Sequence, residues 1–429
     1  MISSYFTYLA CFLILLSTHA QIIHWGDKTG PNQNQIIDTP SAAPIYWSDQ
    51  KNILWKLPLN DEGHSTPVVI DQTLWLTSAT TDGKQQFVRR INIQTGELIE
   101  KKLLFSNESP EILGNPINNY AAPSPVADQT GVYVHFGTYG TAKLNLTNGE
   151  VIWQRRDINV NHYRGPGASP ILYQNKIIMA LDGIDNQFII ALDATTGKTL
   201  WKTPRSINYN DLDASGKPKG DGDLRKAFHT PAILNIQGQD QLISIGSRAA
   251  YGYDPITGQE LWQLPHSDYN AAIRPILEGN ILLLNTGSER SHYLALDTQK
   301  PMKGLLSPDI ILWDRSKRNA SESSPVAHQG YLYQITRGGV LICTDIKTGT
   351  DQWEERLPGQ FLGSLFCLNQ NLYLSNNRGQ TFVIAAKPQF TKIAENQLSS
   401  SISCTPIWVN QKLILRTKEH LIAIIAKQP

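Results

Sequence analysis

Ala191-Leu192-Asp193-Ala194-Thr195-Thr196-Gly197-Lys198-Thr199-Leu200-Trp201 reads as the last hairpin of a small antiparallel sheet. Ala191 and Leu192 end one strand. The Asp193 side chain can accept hydrogen bonds from backbone amides a few residues on, closing an Asx-type turn. Gly197 supplies the positive φ of a hairpin turn with a following bulge. Thr199 to Trp201 begin the outgoing strand, with Trp201 large enough to pack on a neighbouring sheet.

The unit recurs along the chain. Asp254, Thr257, Gly258 and Trp262 repeat it, as do Asp345, Thr348, Gly349 and Trp353. Asn145, Asn148, Gly149 and Trp153 repeat it with amides in the turn. Asn92, Thr95 and Gly96 repeat the turn, with Glu100 where Trp is expected, and Trp313 closes a degenerate copy in which residues 300–309 replace the tight turn. A second marker precedes each hairpin: a small residue, usually Pro next, then an apolar strand. It is found at Thr66-Pro67, Ser124-Pro125, Ser169-Pro170, Thr230-Pro231, Arg274-Pro275, Ser324-Pro325, Ser364-Leu365 and Thr405-Pro406. Proline fits at a strand's first residue, where no amide donor is needed. Repeats of about 40–60 residues, each of a few short strands, are the signature of a β-propeller. The last marker is followed by two more strands and no outer one, while residues 52–58 around Trp55 are a spare outer strand near the other end. The expected fold is therefore all-β: an eight-bladed β-propeller of four-stranded antiparallel blades, closed by an N-terminal strand. An open β-solenoid or a sandwich is the alternative, and neither explains why the missing and spare strands match.

The Asp-x-x-Thr-Gly-x-x-x-Trp hairpin resembles the repeat of the pyrroloquinoline-quinone (PQQ) propellers, a superfamily that includes quinoprotein alcohol dehydrogenases and the outer-membrane assembly propeller BamB. Trp25 with Gly30-Pro31-Asn32, His135-Phe136-Gly137-Thr138-Tyr139-Gly140 and His162-Tyr163-Arg164-Gly165-Pro166-Gly167 resemble a subfamily of secreted bacterial PQQ-like propellers. The resemblance covers nearly the whole chain after residue 20. It is specific for fold and weak for function, because one fold hosts many sites.

Residues 1–20 read as a signal peptide, with an apolar run at 9–16 and Thr18-His19-Ala20 before the cut. The run is too short to span a bilayer, and Cys11 lies inside it, so no lipobox is present. The expectation is a periplasmic or secreted protein with no transmembrane segment after cleavage, and a monomer. Cys343, Cys367 and Cys404 then remain; an odd set cannot all pair, and they fall on strands of different blades as small buried hydrophobes. Residues 21–50 are polar with several prolines and read as an extended arm along the propeller; residues 51–429 are propeller. A net charge of +1 argues against a nucleic-acid partner, which would demand a basic excess.

The longest insertion, residues 207–227, contains Asp211, Asp213 and Ser215, whose alternating oxygens imitate the opening of a calcium loop. Gly222 stands where an EF-hand would carry its bidentate Glu, and a solvated turn is the alternative.

Sorting loops by face separates bland from chemical. The loops joining inner to second strand, and third to outer, carry turn residues only. The opposite face, built by the connections between blades and by the second-to-third-strand loops, gathers polar, cationic and aromatic residues: His64, Tyr120, His135, His162, Arg164, Arg225, His229, Arg274 and Arg337. Non-repetitive loops on a rigid scaffold are where function concentrates. These nine are the ligand-binding candidates, with Arg164, Arg225, Arg274, Arg337 and His229 expected to form a cationic funnel for an anionic or polyhydroxylated ligand. The reading is an exported, non-catalytic scaffold that binds such a ligand or an envelope protein. The alternative implied by the resemblance is a PQQ-dependent dehydrogenase. Those enzymes stack PQQ on a Trp floor beside calcium and a catalytic Asp, under a ring of two adjacent cysteines. This chain has no adjacent cysteines and no Trp in the funnel-facing loops. A hydrolase is a third class: Ser65, Ser169 and Thr230 near histidines belong to the strand-start marker, and Asp182, Asp185 and His162 are weak candidates for a metal.

Overall fold

The Asp193 hairpin forms as its sequence dictates. Asp193 Oδ1 accepts the amides of Thr195 at 3.0 Å and Thr196 at 2.7 Å, and the Gly197 amide donates to the Asp193 carbonyl at 2.8 Å. Gly197 has φ +71°, and the register slips between Ala191 and Leu192, the expected bulge. Asp254 and Asp345 hold their turns in the same way.

The computed structural model describes residues 23–114, 117–288 and 291–426; the signal segment lies outside them. Eight sheets of mostly antiparallel strands form an eight-bladed propeller. The first blade runs Val68–Ile70, Thr73–Ala79, Gln85–Asn92, Leu98–Ser106 from inside outward. The eighth consists of Ile407–Val409, Lys412–Arg416 and His420–Ile424, and the strand Ile53–Pro58 completes it, with Ile53 opposite Ile424 and Pro58 opposite His420. The ring thus closes by the spare strand. Cys343, Cys367 and Cys404 are buried free thiols.

Neighbouring blades lock through the outer-strand tryptophans. Trp153 lies on Gly197 of the next blade, so closely that a Cβ there would come within 2.7 Å of the indole. Its Nε1 donates to the Ala194 carbonyl of that turn at 3.1 Å. Glycine is thus required twice over, for its φ and for this approach. Trp55 docks on Gly96, Trp201 on Gly258 and Trp313 on Gly349. Glu100, in the Trp position of the first blade, is paired with Arg90 at 3.3 Å and Lys102 at 3.2 Å, and its carboxylate covers Gly149. Trp262 differs because the following turn is the degenerate one. That segment reaches back as Gly304–Leu305, pairs in parallel with Glu260–Pro265, and buries Trp262 completely. Trp201, expected to be buried, is only half-buried, because its outer strand remains an uncovered edge.

The arm does not lie along the outside. β1 (Ile23–Trp25) pairs antiparallel with the innermost strand of the first blade, and β2 (Ile36–Ile37) pairs in parallel with Phe366–Leu368, the innermost strand of the seventh. Gly26 O accepts the Ala127 amide of the second blade at 2.8 Å, and Gln33 O accepts from Arg274 at the start of the fifth. The arm therefore enters the central channel, turns, and leaves on the side it entered. Trp25 anchors the loop: it is buried, meets Phe366 edge-on at 5.9 Å, and covers Gly30, which has φ +83°. The Trp25…Gly30 motif is thus the turn of a plug. The chain then passes Asn369, Tyr373 and Asn396 of the seventh blade and enters the eighth as β3 (Ile53–Pro58).

Trp262→Ala is expected to lower the unfolding free energy by about 3–5 kcal/mol, the range for deleting a buried aromatic. Trp201→Ala should cost less, about 2 kcal/mol, because part of its area stays in water. Urea unfolding of the two variants checks the order; a larger loss for Trp201→Ala would contradict the assigned edge.

Candidate functional site: the funnel above the plug

The strand-start marker has a job beyond starting strands. The Thr66 amide donates to Ser124 Oγ at 2.9 Å, the Ser124 amide to Ser169 Oγ at 3.0 Å, and the Ser169 amide to Thr230 Oγ1 at 3.0 Å. Across the ring the Arg274 amide donates to Ser324 Oγ at 3.3 Å, that of Ser324 to Ser364 Oγ at 3.1 Å, and that of Ser364 to Thr405 Oγ1 at 3.0 Å. The small residue before each Pro is therefore a link between blades. Only the fifth blade carries an arginine, Arg274, in this belt of hydroxyls.

The belt surrounds the base of a cavity of about 540 Å³ on the candidate face. Thr66, Ser124, Ser169, Ser364 and Thr405 line it below, Phe228, Tyr269 and Leu362 give it apolar walls, and His64, Arg164, Glu322 and Arg337 stand around it. Lys28, from the tip of the plug, is part of the lining. Sequence reasoning missed this residue, because nothing local says that the arm threads the channel.

The candidates divide. His64, Arg164 and Arg337 line the cavity, and Arg274 lies in the belt. The others are held elsewhere. Tyr120 donates its hydroxyl to the Glu111 carbonyl at 2.7 Å and meets Tyr139 edge-on. His135 Nδ1 bonds Thr141 Oγ1 at 2.8 Å. His162 is buried beneath the 137–140 turn, so the two family-like motifs pack on each other. His229 Nε2 accepts the Ile245 amide at 2.9 Å and meets Ser244 Oγ at 2.9 Å. Arg225 forks onto Asp211 and lies 5.0 Å over the Tyr209 ring.

The expected five-member cationic funnel is therefore corrected. Arg164 lies 3.6 Å from Asp223, which also pairs with Lys226; Arg337 pairs with Glu322; Arg225 pairs with Asp211 outside the cavity. Arginines placed on one face by the topology drew acids to them. Arg274 keeps no carboxylate within 4.0 Å among the described residues, and neither does Lys28. Burial and the neighbouring Arg274 charge push the Lys28 ammonium down to about 8, against a partial pull from Asp27. Burial and the Arg164 charge push Lys226 down to about 7.

The insertion does not gather its oxygens. Asp211 is taken by Arg225, and Asp213 Oδ1 accepts from Ser215 and the Lys217 amide within its own turn. Asp182 forks onto Arg205 at 2.8 and 2.7 Å with both side chains buried, and Asp185 caps the Asn161 amide at 2.8 Å, so neither is free to meet His162. Among the described residues no group of three or more His, Cys, Asp or Glu side chains converges. Among the described residues the lining of this cavity contains no Trp; its aromatic members are Phe228 and Tyr269.

All of these features belong to a PQQ-like propeller. The family model described as outer membrane protein assembly factor BamB matches residues 35–216 and 306–424, and the chain belongs to that family. It is 30% identical over 373 residues to the tetrathionate hydrolase of Acidithiobacillus ferrooxidans, covering 72% of this chain and 70% of that one. Two solved structures share the fold. Quinohemoprotein alcohol dehydrogenase from Comamonas testosteroni has a TM-score of 0.66 at 12% identity, with 95% of this chain and 81% of that one covered. BamB from Moraxella catarrhalis has a TM-score of 0.59 at 11% identity, with 87% and 100% covered. Among the described residues no helix is long and apolar enough to cross a membrane.

Burial holds several histidines neutral: His64, His162 and His266 are pushed down to about 4 and His135 to about 3. Unfolded histidine protonates near 6.5. Below that pH the unfolded chain binds protons that the folded chain refuses, so stability is complete above about pH 6.5 and falls as the pH drops toward 4. The melting temperature should accordingly decline between pH 7 and pH 5, and His162→Gln should flatten that slope. A melting temperature independent of pH over this interval would contradict the buried, neutral assignment.

Proposed function

We propose that this chain is an exported binding propeller whose funnel captures a small anionic or polyhydroxylated ligand. The observation that carries the reading is the cavity of about 540 Å³ lined by belt hydroxyls and by Lys28. Hydroxyls and fixed cations around a partly apolar pocket suit a compact, oxygen-rich molecule. The walls keep their own charge balance through the Arg164–Asp223 and Arg337–Glu322 pairs, so the loops stay ordered with or without a guest. The BamB relationship supports a second use of the same face, the docking of an envelope protein over the funnel mouth.

A hydrolytic reading is favoured by one finding, the 30% identity to a protein named for hydrolysing tetrathionate. Tetrathionate is a small dianion and matches the ligand class. Glu322 is the carboxylate on the main cavity's lining, among the described residues, and could orient a water there; Ser321 and Arg337 hold it.

Calorimetric titration of the secreted form against small oxyanions and oligosaccharides tests the binding reading. One-site heats from a member of either class are expected; heats from neither would overturn it. Incubation with tetrathionate tests the second reading. Loss of tetrathionate that Glu322→Gln abolishes would make the protein a hydrolase, and no loss would leave binding as its activity.

A further inference from the structure

The hydroxyl belt and the plug together leave one feature that the scaffold does not use. The fifth blade carries Arg274 where the other blades carry Ser or Thr. Arg274 is buried, and part of its guanidinium donates to the Gln33 carbonyl of the plug. Its Nε has no hydrogen-bond partner. Lys28, five residues before Gln33, lines the cavity and brings a second cation close enough for the Arg274 charge to weaken its hold on a proton. Asp27 is the acid nearest to both, but its Oδ1 accepts the amide and the hydroxyl of Thr29, each at 2.6 Å. His229 is kept neutral by burial and by the charges of Arg205 and Lys28. The remaining charged groups on the cavity, Arg164, Glu322 and Arg337, belong to the wall pairs already described.

Resting on the binding reading above, we propose that the threaded N-terminal segment completes the site, and that Lys28 and Arg274 form an oxyanion-binding pair at the floor of the funnel. Two like charges side by side raise the energy of the empty floor, and a tetrahedral oxyanion relieves it while accepting charge-assisted hydrogen bonds from both. The belt supplies further donors. Ser124, Ser169, Ser364 and Thr405 each accept a backbone amide, and this leaves each hydroxyl proton for another acceptor. The belt holds the Arg274 backbone and the Gln33 carbonyl holds its guanidinium. The arginine is therefore in place before a ligand arrives, which lowers the ordering cost of binding. Sulfate, phosphate and sulfonate groups share the required chemistry.

The site has its own pH signature. Lys28 binds an anion only as the ammonium, and its proton is lost near pH 8. Affinity should be full below that and fall as the pH rises through it. The Arg274 guanidinium stays charged over this interval, so the change reports Lys28.

The test titrates the secreted form with inorganic sulfate and, separately, inorganic phosphate at matched ionic strength, following heat. Saturable one-site binding of at least one of them is expected. Lys28→Met keeps the apolar stem and should weaken that binding about tenfold, the loss of one charge-assisted contact. Lys28→Arg should keep it and abolish its decline above pH 8. Lys28→Arg should melt like the parent and Lys28→Met no lower than it, because removing one of two like charges relieves the empty floor. Unchanged affinity in Lys28→Met, or no saturable binding of either anion, would overturn the floor site. If neither anion binds while an oligosaccharide does, the floor site falls and the binding reading stands; if nothing binds, both fall.

Discussion

Six of the junctions between neighbouring blades are made by a backbone amide donating to a hydroxyl of the next blade. A closed ring has no free end at which to absorb an error in blade angle, so the spacing of its innermost strands must be set by contacts that repeat at the same height. The amide-to-hydroxyl links from Thr66 to Thr230, and from Arg274 to Thr405, do this at the channel wall. They sit where each chain enters its blade, and the following proline needs no donor there. At the outer rim the tryptophans do the same work against the glycine turns. Where both occur, the two sets of contacts hold neighbouring blades together at their inner and outer ends.

The blades of a propeller surround a central channel. Here the chain fills it with itself. β1 and β2 add backbone to the inner strands of the first and seventh blades, and Trp25 occupies the space between. The plug turns an open channel into a funnel with a floor. The same insertion explains why an arginine is tolerated in the belt: Arg274 has a carbonyl of the plug to hold, so the fifth blade can give up its hydroxyl.

Charge on the funnel face follows a simple rule. A guanidinium that reaches an acid is neutralised, as in the Arg164–Asp223, Arg225–Asp211 and Arg337–Glu322 pairs. Such pairs keep loops in place and contribute little net stability where water reaches them. Deeper in the ring, Arg205 and Asp182 form a fully buried pair that also engages Ser244 and Tyr253. Of the histidines that looked like ligands from their loops, His135 and His229 serve as neutral hydrogen-bonding core, because burial excludes their charged form.

Local chemistry carries the blades. Asp193 with Gly197, the bulge before Trp201, the prolines at strand starts and the unmatched outer strand around Trp55 are short-range or countable features, and the eight-bladed ring and its closure could be read from them. The face that would carry the site was legible too, since loop order alone assigns it. Long-range contacts decided the rest. Whether Arg225 meets a ligand or Asp211 depends on where a loop returns, and whether residues 21–50 lie outside or inside depends on a channel that exists only once the ring has closed. Lys28 belongs to this second kind: in the sequence it is one polar residue in an arm, and only the threaded channel makes it the floor of a funnel.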